Sequence, residues 1–155
     1  MKKLIDIRPI TRKDVPQCVE LGYEQFSASR FNYLTYDREK IRSQFLHAVD
    51  HPRVRAFVVD RDGELVGIVA VSLEQYEYNY DTFAMDHFYY IKPAHRKGLL
   101  ALKLFRVAEQ WAKENRALEI QFNFAFNDEG QRIANFMDRI GYVKYNEHYK
   151  KLLVE

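Results

Sequence analysis

Arg96 and Lys97 are the side chains of this sequence whose types and spacing invite chemistry. They follow Pro93-Ala94-His95 and precede Gly98, where an apolar period of three to four begins. A helix start presents amides without intrahelical partners and the positive end of the macrodipole, which together bind phosphate or diphosphate. Two cations strengthen such a site. The same residues also suit a solvated basic loop ahead of an ordinary amphipathic helix, and spacing leaves both readings open. With no Gly-Lys-Ser/Thr run, a Walker-type nucleotide loop is excluded.

Two elements must position these groups. Phe83, Met85, His87, Tyr89 and Ile91 alternate with Ala84, Asp86, Phe88, Tyr90 and Lys92, the period of a strand, and Pro93 closes it. His87 falls on the opposite strand face from Asp86 unless a bulge intervenes. After Gly98, Leu100, Leu104, Val107, Ala108 and Trp111 form the buried stripe of a long helix reaching Asn115.

The remaining chain reads as further elements of one domain. Leu4 to Ile10 is an edge strand. Asp14 suits the N-cap of a first helix with Pro16 in its first turn. Ser27 to Tyr36 is a loop, and a second helix runs from about Asp37 to Pro52. Val54–Val59 and Leu65–Leu73 are strands joined through Asp62-Gly63, a strong hairpin signal. Leu65 to Val71 is apolar throughout and so belongs in the middle of a covered sheet. Glu74 to Asp81 (EQYEYNYD) reads as an exposed hairpin tip or dimer contact, or as a rim of tyrosines and carboxylates attracting a cation. Ala117 to Phe126 alternates as a fifth strand. Asn127 or Asp128 then caps a last helix ended by Gly141, and Tyr142–Tyr145 and His148–Val154 form closing strands.

Composition limits the function classes. The chain has 155 residues, 47% hydrophobic and 30% charged, as expected for one folded domain spanning 1–155 rather than a disordered segment. A net charge of +2, with Lys and Arg spread along the chain, gives no basis for a nucleic-acid partner. One cysteine, Cys18, fits a reducing, cytoplasmic setting, and no apolar run reaches membrane-span length. His47 and His51 lie four apart, but the sequence between them lacks the glutamate of a zinc-protease helix and no third ligand is near, so no metal is expected. Aromatics at 15% are the unusual feature, compatible with a homodimer contact through the central loop and closing strands.

The stretch Pro93-Ala94-His95-Arg96-Lys97-Gly98-Leu99-Leu100-Ala101 resembles the acyl-coenzyme A loop of the GNAT superfamily of N-acetyltransferases. That pattern, Arg/Gln-x-x-Gly-x-Gly/Ala, lies a few residues after a strand-ending proline. Alignment on Pro93 puts Arg96 first and Ala101 last; the middle glycine falls on Leu99, and this chain's Gly98 sits one residue earlier. The opening Ile7-Arg8-Pro9-Ile10-Thr11 through Asp14 and the closure Met137-Asp138-Arg139-Ile140-Gly141-Tyr142 are also similar to that superfamily, so the resemblance covers nearly the whole chain.

The resemblance implies an α+β fold: an α/β/α sandwich about a mixed, mostly antiparallel sheet of about seven strands, with four helices. It implies acetyl-CoA as co-substrate and transfer of its acetyl group to a primary amine of an unidentified small molecule, peptide or protein. By the same resemblance, Tyr89, Tyr90 and Ile91 hold the pantetheine arm. Arg96, Lys97, Gly98, Leu99, Leu100 and Ala101 receive the diphosphate, and Asn127 contacts the cofactor. The resemblance also gives Asp86, seven residues before the proline, the general-base position, where an aspartate needs burial or a water chain to act near neutrality. A structural, hydrogen-bonded Asp86 fits equally well, and His87, with the more suitable intrinsic pKa, is the alternate. The superfamily's tyrosine acid falls on Met137, which cannot donate a proton, so Tyr142, Tyr145 or Tyr149 must serve, or solvent. Two other readings stand beside this one: an acyl-CoA-binding module of the same fold without efficient turnover, and a single-strand nucleic-acid binder using the tyrosines for stacking.

Overall fold

Leu65 to Leu73, apolar at nearly every position, lies in the middle strand of the sheet, β3 (Glu64–Gln75), buried on both faces. The computed structural model describes residues 4–124 and 130–154. Among these the sheet has five strands in the order β1-β2-β3-β4-β5, each beside its sequence neighbour. β1 (Ile5–Pro9), β2 (Val54–Arg61), β3 and β4 (Thr82–Ile91) pair antiparallel, and β5 (Ile120–Gln121) joins β4 in parallel. The β2–β3 hairpin turns at Asp62 and Gly63, with φ of 58° and 92°, the two left-handed residues that a tight two-residue hairpin requires.

Helices cover both faces. α1 (Val15–Ser27) and α2 (Arg38–Asp50) bury Val15, Leu21 and Phe45 against Val58, Ile68 and Ala70. α3 (Leu100–Glu114), the crossover between β4 and β5, sets Leu104, Phe105, Ala108 and Trp111 against Val69, Val71 and Tyr89 on the other face. α4 (Gly130–Arg139) adds Met137 to that second core. The result is the expected three-layer α+β sandwich with four helices. α2 is capped by Asp37, which accepts the Lys40 amide at 3.0 Å. α4 ends at Gly141 (φ 95°), where the Tyr142 amide reaches back to the Met137 carbonyl at 2.9 Å.

Three expectations need correction. The sheet has five strands among the described residues, not about seven. β5 spans two residues because the chain pairs with β4 only beside Ala84 and Met85. It then turns Phe122 and Phe124 onto Phe105, with ring centroids 4.7 and 6.3 Å away. The expected strand to Phe126 and the caps Asn127 and Asp128 run into 125–129, outside the described residues. Residues 142–154 form no ladder; Tyr145 instead bonds the Gln121 side chain at 2.7 Å, and Lys150 sits over the Tyr33 ring at 5.0 Å.

The third correction concerns Asp14, whose carboxylate does not cap α1. Arg8 on β1 grips it with two hydrogen bonds, at 2.7 and 2.9 Å, and reaches Asp60 on β2 at 3.0 Å. The Thr11 amide and hydroxyl also donate to Asp14, at 2.7 and 3.0 Å. This bidentate clasp ties the start of α1 to two strands, a stronger use of a carboxylate than a cap. Arg8 is the largest cause holding the Asp14 carboxyl below the usual range, so its stabilisation is complete above the unfolded-state pKa and is lost as pH falls through the lower folded one. Asp14→Asn is expected to cost about 2 kcal/mol at neutral pH. Urea melts should show the gap to the native chain closing as pH falls below about 4; a gap independent of pH contradicts the ion-pair account.

Candidate active site

The site grows from a fault in one strand. Between β3 and β4 the register slips: Val71 faces Asp86 but Ala70 faces Phe88, so His87 is an extra residue on β4. Such a bulge bends the strand and re-aims its side chains. Asp86 turns toward β5, accepting the Asn123 amide at 2.9 Å. The His87 ring leans to β3, with Nε2 2.6 Å from the Ser72 hydroxyl. Burial pushes the Asp86 carboxyl up to about 6, against the lowering effect of the Asn123 amide. Burial also pulls the His87 imidazole below its usual range, with Glu74 opposing. The bulge thus holds a carboxylate whose pKa approaches neutrality and an imidazole that is neutral at pH 7.

Beyond Asp86 the edge of β4 away from β3 has no strand partner among the described residues. A cavity of about 380 Å³ lies at the end of β4 and the start of α3. Tyr89, Ile91, Arg96, Lys97, Gly98 and Ala101 line it on one side, and Arg132, Ile133, Phe136 and Arg139 of α4 on the other. Four cations therefore surround the helix start, where the first amides of α3 have no intrahelical acceptors. A diphosphate fits both the charge and the donors. Gly98 has φ of 105°, a left-handed backbone that lets the loop turn into α3 with no side chain over the amides.

The other loop residues divide by position. Leu99 is 66% exposed and does not line the cavity, so its side chain leaves the groove open. Leu100 packs against the core. Tyr90 lies on the opposite face of β4 from Tyr89 and Ile91, beneath the Arg96 guanidinium, 5.3 Å from its ring centroid. Arg96 also donates from Nε to the Ile91 carbonyl at 2.7 Å, which fixes the strand end to the loop. Asn127 lies outside the described residues. Arg132 and Arg139 are absent from the sequence-based candidates, although Arg132, Phe136 and Arg139 share one helical face at i, i+4, i+7.

Tyrosines are poorly placed as acids. Met137 is 9% exposed and buried in the core. Tyr142 donates to Glu109 at 3.0 Å, and burial lifts its phenol far above the usual range. Tyr149 is 90% exposed, donates to Glu147 at 3.2 Å, and lines neither this cavity nor the larger one of about 950 Å³ beside β5 and α4. The EQYEYNYD segment stands at the far end of β4, with Tyr78 and Tyr80 exposed and Tyr76 donating to Glu119 at 2.6 Å. That placement is a hairpin tip, remote along the strand from the cation-lined cavity.

The site is thus a bulged strand diverging from its parallel neighbour beside a cationic helix start, within an α+β sandwich. The sequence profile of the acetyltransferase (GNAT) family matches residues 17–142, and the chain belongs to that family. Its enzymes draw on acetyl-CoA as acyl donor. Among solved structures, the aminoglycoside N-acetyltransferase AAC(6')-Iy in complex with CoA is similar at 12% identity, TM-score 0.78, over 97% of each chain. A transcriptional regulator from Bacillus halodurans C-125 is similar at 18% identity, TM-score 0.77, over 97% of this chain and 100% of that one. A ribosomal-protein-alanine N-acetyltransferase from Brucella melitensis biovar Abortus 2308 is similar at 18% identity, TM-score 0.71, over 96% of this chain and 99% of that one. At these identities the likeness is one of fold. No curated protein matches the sequence.

Proposed function

We propose that this chain is an acetyl-CoA-dependent N-acetyltransferase acting on a primary amine of a small molecule or peptide. The observation that carries the proposal is the four-cation cavity at the start of α3, lined also by Tyr89 and Ile91 of β4, the strand that carries Asp86. Arg96, Lys97, Arg132 and Arg139 with the α3 amides receive the diphosphate. The unpartnered edge of β4 supplies backbone groups to the pantetheine arm. Acetyl-CoA supplies a thioester whose C–S bond breaks as the amine forms a C–N bond. Asp86, with its pKa raised toward neutrality, takes the ammonium proton directly or through water. The departing thiolate needs little acid help, since a free thiol has a pKa of about 8.5; solvent protonation replaces the missing tyrosine at Met137.

The acceptor class draws support from structural neighbours solved with a CoA–acetylneamine bisubstrate analogue and with sisomicin, which are amine compounds. A buried, unbridged Cys18 fits a cytoplasmic setting, and no described helix is long and apolar enough to cross a membrane. Exposed Val143, Tyr145, Leu153 and Val154 on the unladdered tail support a homodimer. A second reading, an acyl-CoA-binding module with weak turnover, is favoured by Met137 and by the engagement of Tyr142 and Tyr145 elsewhere.

Melting with and without acetyl-CoA tests binding, because a ligand at ~100 times its Kd stabilises by about 2.7 kcal/mol. Thiol release across polyamines, amino acids, aminoglycosides and peptide N-termini separates enzyme from module. A shift without release supports the module; no shift contradicts both. Arg139→Gln is expected to raise the acetyl-CoA Kd by about tenfold, the loss of one charge-assisted contact, with Tm unchanged because the side chain is exposed. Calorimetric titration in low and high salt checks it.

A further inference from the structure

Ser72 is one of three polar or charged residues among the described ones that are buried, and the amine-transfer chemistry above does not use it. On β3 its hydroxyl lies 2.8 Å from Oε1 of Glu74, two residues on along the same face, and 2.6 Å from Nε2 of His87 across the bulge. A serine hydroxyl carries one hydrogen. If that hydrogen pointed to His87, the Ser72 oxygen and the Glu74 carboxylate would face each other at hydrogen-bond distance with no proton between them. Only one arrangement satisfies both contacts: His87 Nε2–H donates to Ser72, and Ser72 O–H donates to Glu74. Nδ1 of His87 is then bare, and it has no hydrogen-bond partner among the described residues. His87 as a residue is exposed, although its imidazole is partly desolvated.

We propose that Ser72 and Glu74 are positioning residues that hold His87 as the Nε2–H tautomer, so that its Nδ1 lone pair accepts a hydrogen bond from the acceptor amine beside Asp86. The proposal rests on the amine-acetylating reading of the site. It gives the bulge a second task. Asp86 faces the β5 side and takes the proton, while His87 faces the β3 side and orients the nitrogen that loses it. Burial keeps the imidazole neutral at pH 7, so Nδ1 remains an acceptor, and Glu74 is the charged group whose field reaches it. A hydroxyl between carboxylate and imidazole sets the tautomer without setting the full carboxylate charge against the ring. That preserves the neutral form, which a direct Glu–His pair would oppose.

The test is nitrogen-15 NMR of His87 at pH 7, in the protein alone and with acetyl-CoA, together with acetylation rates for methylamine, spermidine and sisomicin. The native chain is expected to show a protonated, slowly exchanging Nε2 and a bare Nδ1. In Ser72→Ala the slow exchange is lost, and kcat for the best of the three amines falls about tenfold, the size of one lost hydrogen bond, with the KM for acetyl-CoA unchanged. Ser72→Thr, which keeps the hydroxyl, restores both. Glu74→Gln, near-isosteric and half-buried, retains the fold and weakens the Nε2 protection. A native His87 protonated at Nδ1, or exchanging freely between tautomers, overturns the proposal while leaving amine acetylation untouched. The expected tautomer without acetylation of any of the three amines, or of the amino acids and peptide N-termini of the wider panel, overturns the catalytic role and the transferase reading together. Unchanged kcat in Ser72→Ala, with the tautomer lost, overturns the positioning role alone.

Discussion

Asp86→Asn is expected to lower kcat by about 10²–10⁴-fold, the contribution of a positioned general base, with the affinity for acetyl-CoA unaltered. The asparagine oxygen can still accept the Asn123 amide that Asp86 now holds at 2.9 Å, so the fork between β4 and β5 keeps its shape. Stability should not fall. A carboxyl whose folded pKa is raised to about 6 destabilises the fold above that pH, and removing the charge removes that penalty. The pH profile gives the sharper readout. As the ionised base, Asp86 makes kcat/KM rise with pH through about 6, and that limb should vanish in the asparagine variant. A variant with lower turnover that retains the limb would assign it to another group, and His87 would be the first to examine.

Phe105→Ala carries the largest expected cost in stability, about 3–5 kcal/mol. Phe105 is fully buried on α3 and serves as the hub of five rings: Tyr89 at 4.8 Å, Phe122 at 4.7 Å, Phe136 at 5.8 Å, Tyr142 at 6.1 Å and Phe124 at 6.3 Å. These rings belong to β4, the segment after β5, α4 and the chain beyond α4. One side chain therefore joins these four stretches to α3. For a domain of this size the loss lowers Tm by roughly 10 °C. Acetyl-CoA affinity should fall as well, because Phe136 carries α4 and its two arginines to the cavity. Calorimetric melting and titration of the same variant measure both effects. A Tm drop with unchanged affinity would mean that α4 is held in place by other contacts.

Legibility in the sequence followed the range of the interaction. The Asp62-Gly63 turn, the buried run of β3 and the apolar stripe of α3 are written in neighbouring residues, and all three form as their patterns predict. Pro93 to Ala101 likewise carries its loop locally. Tyr90 was separable from Tyr89 and Ile91 by strand period alone, yet the resemblance grouped all three. The His87 bulge is set by register against β3, which no window on β4 contains. Arg132 and Arg139 reach the cavity only once α3 and the sheet have positioned α4. Asp14 has the type and place of a helix cap; its clasp by Arg8 depends on β1 passing beside it. Ser72 and Glu74 sit in a run that reads as a buried strand, and their meaning appears only with His87 across the ladder. The alternation in 117–126 and 142–154 signalled strands, but pairing needs a partner edge, and β5 leaves β4 after two residues.

A crystal structure with acetyl-CoA bound tests the central claim most directly. The diphosphate is expected against the first amides of α3, between Arg96 and Lys97 on one side and Arg132 and Arg139 on the other, with the thioester running along the free edge of β4 to Asp86. Acetyl-CoA bound with its diphosphate away from that helix start, or its thioester away from Asp86, would contradict the account.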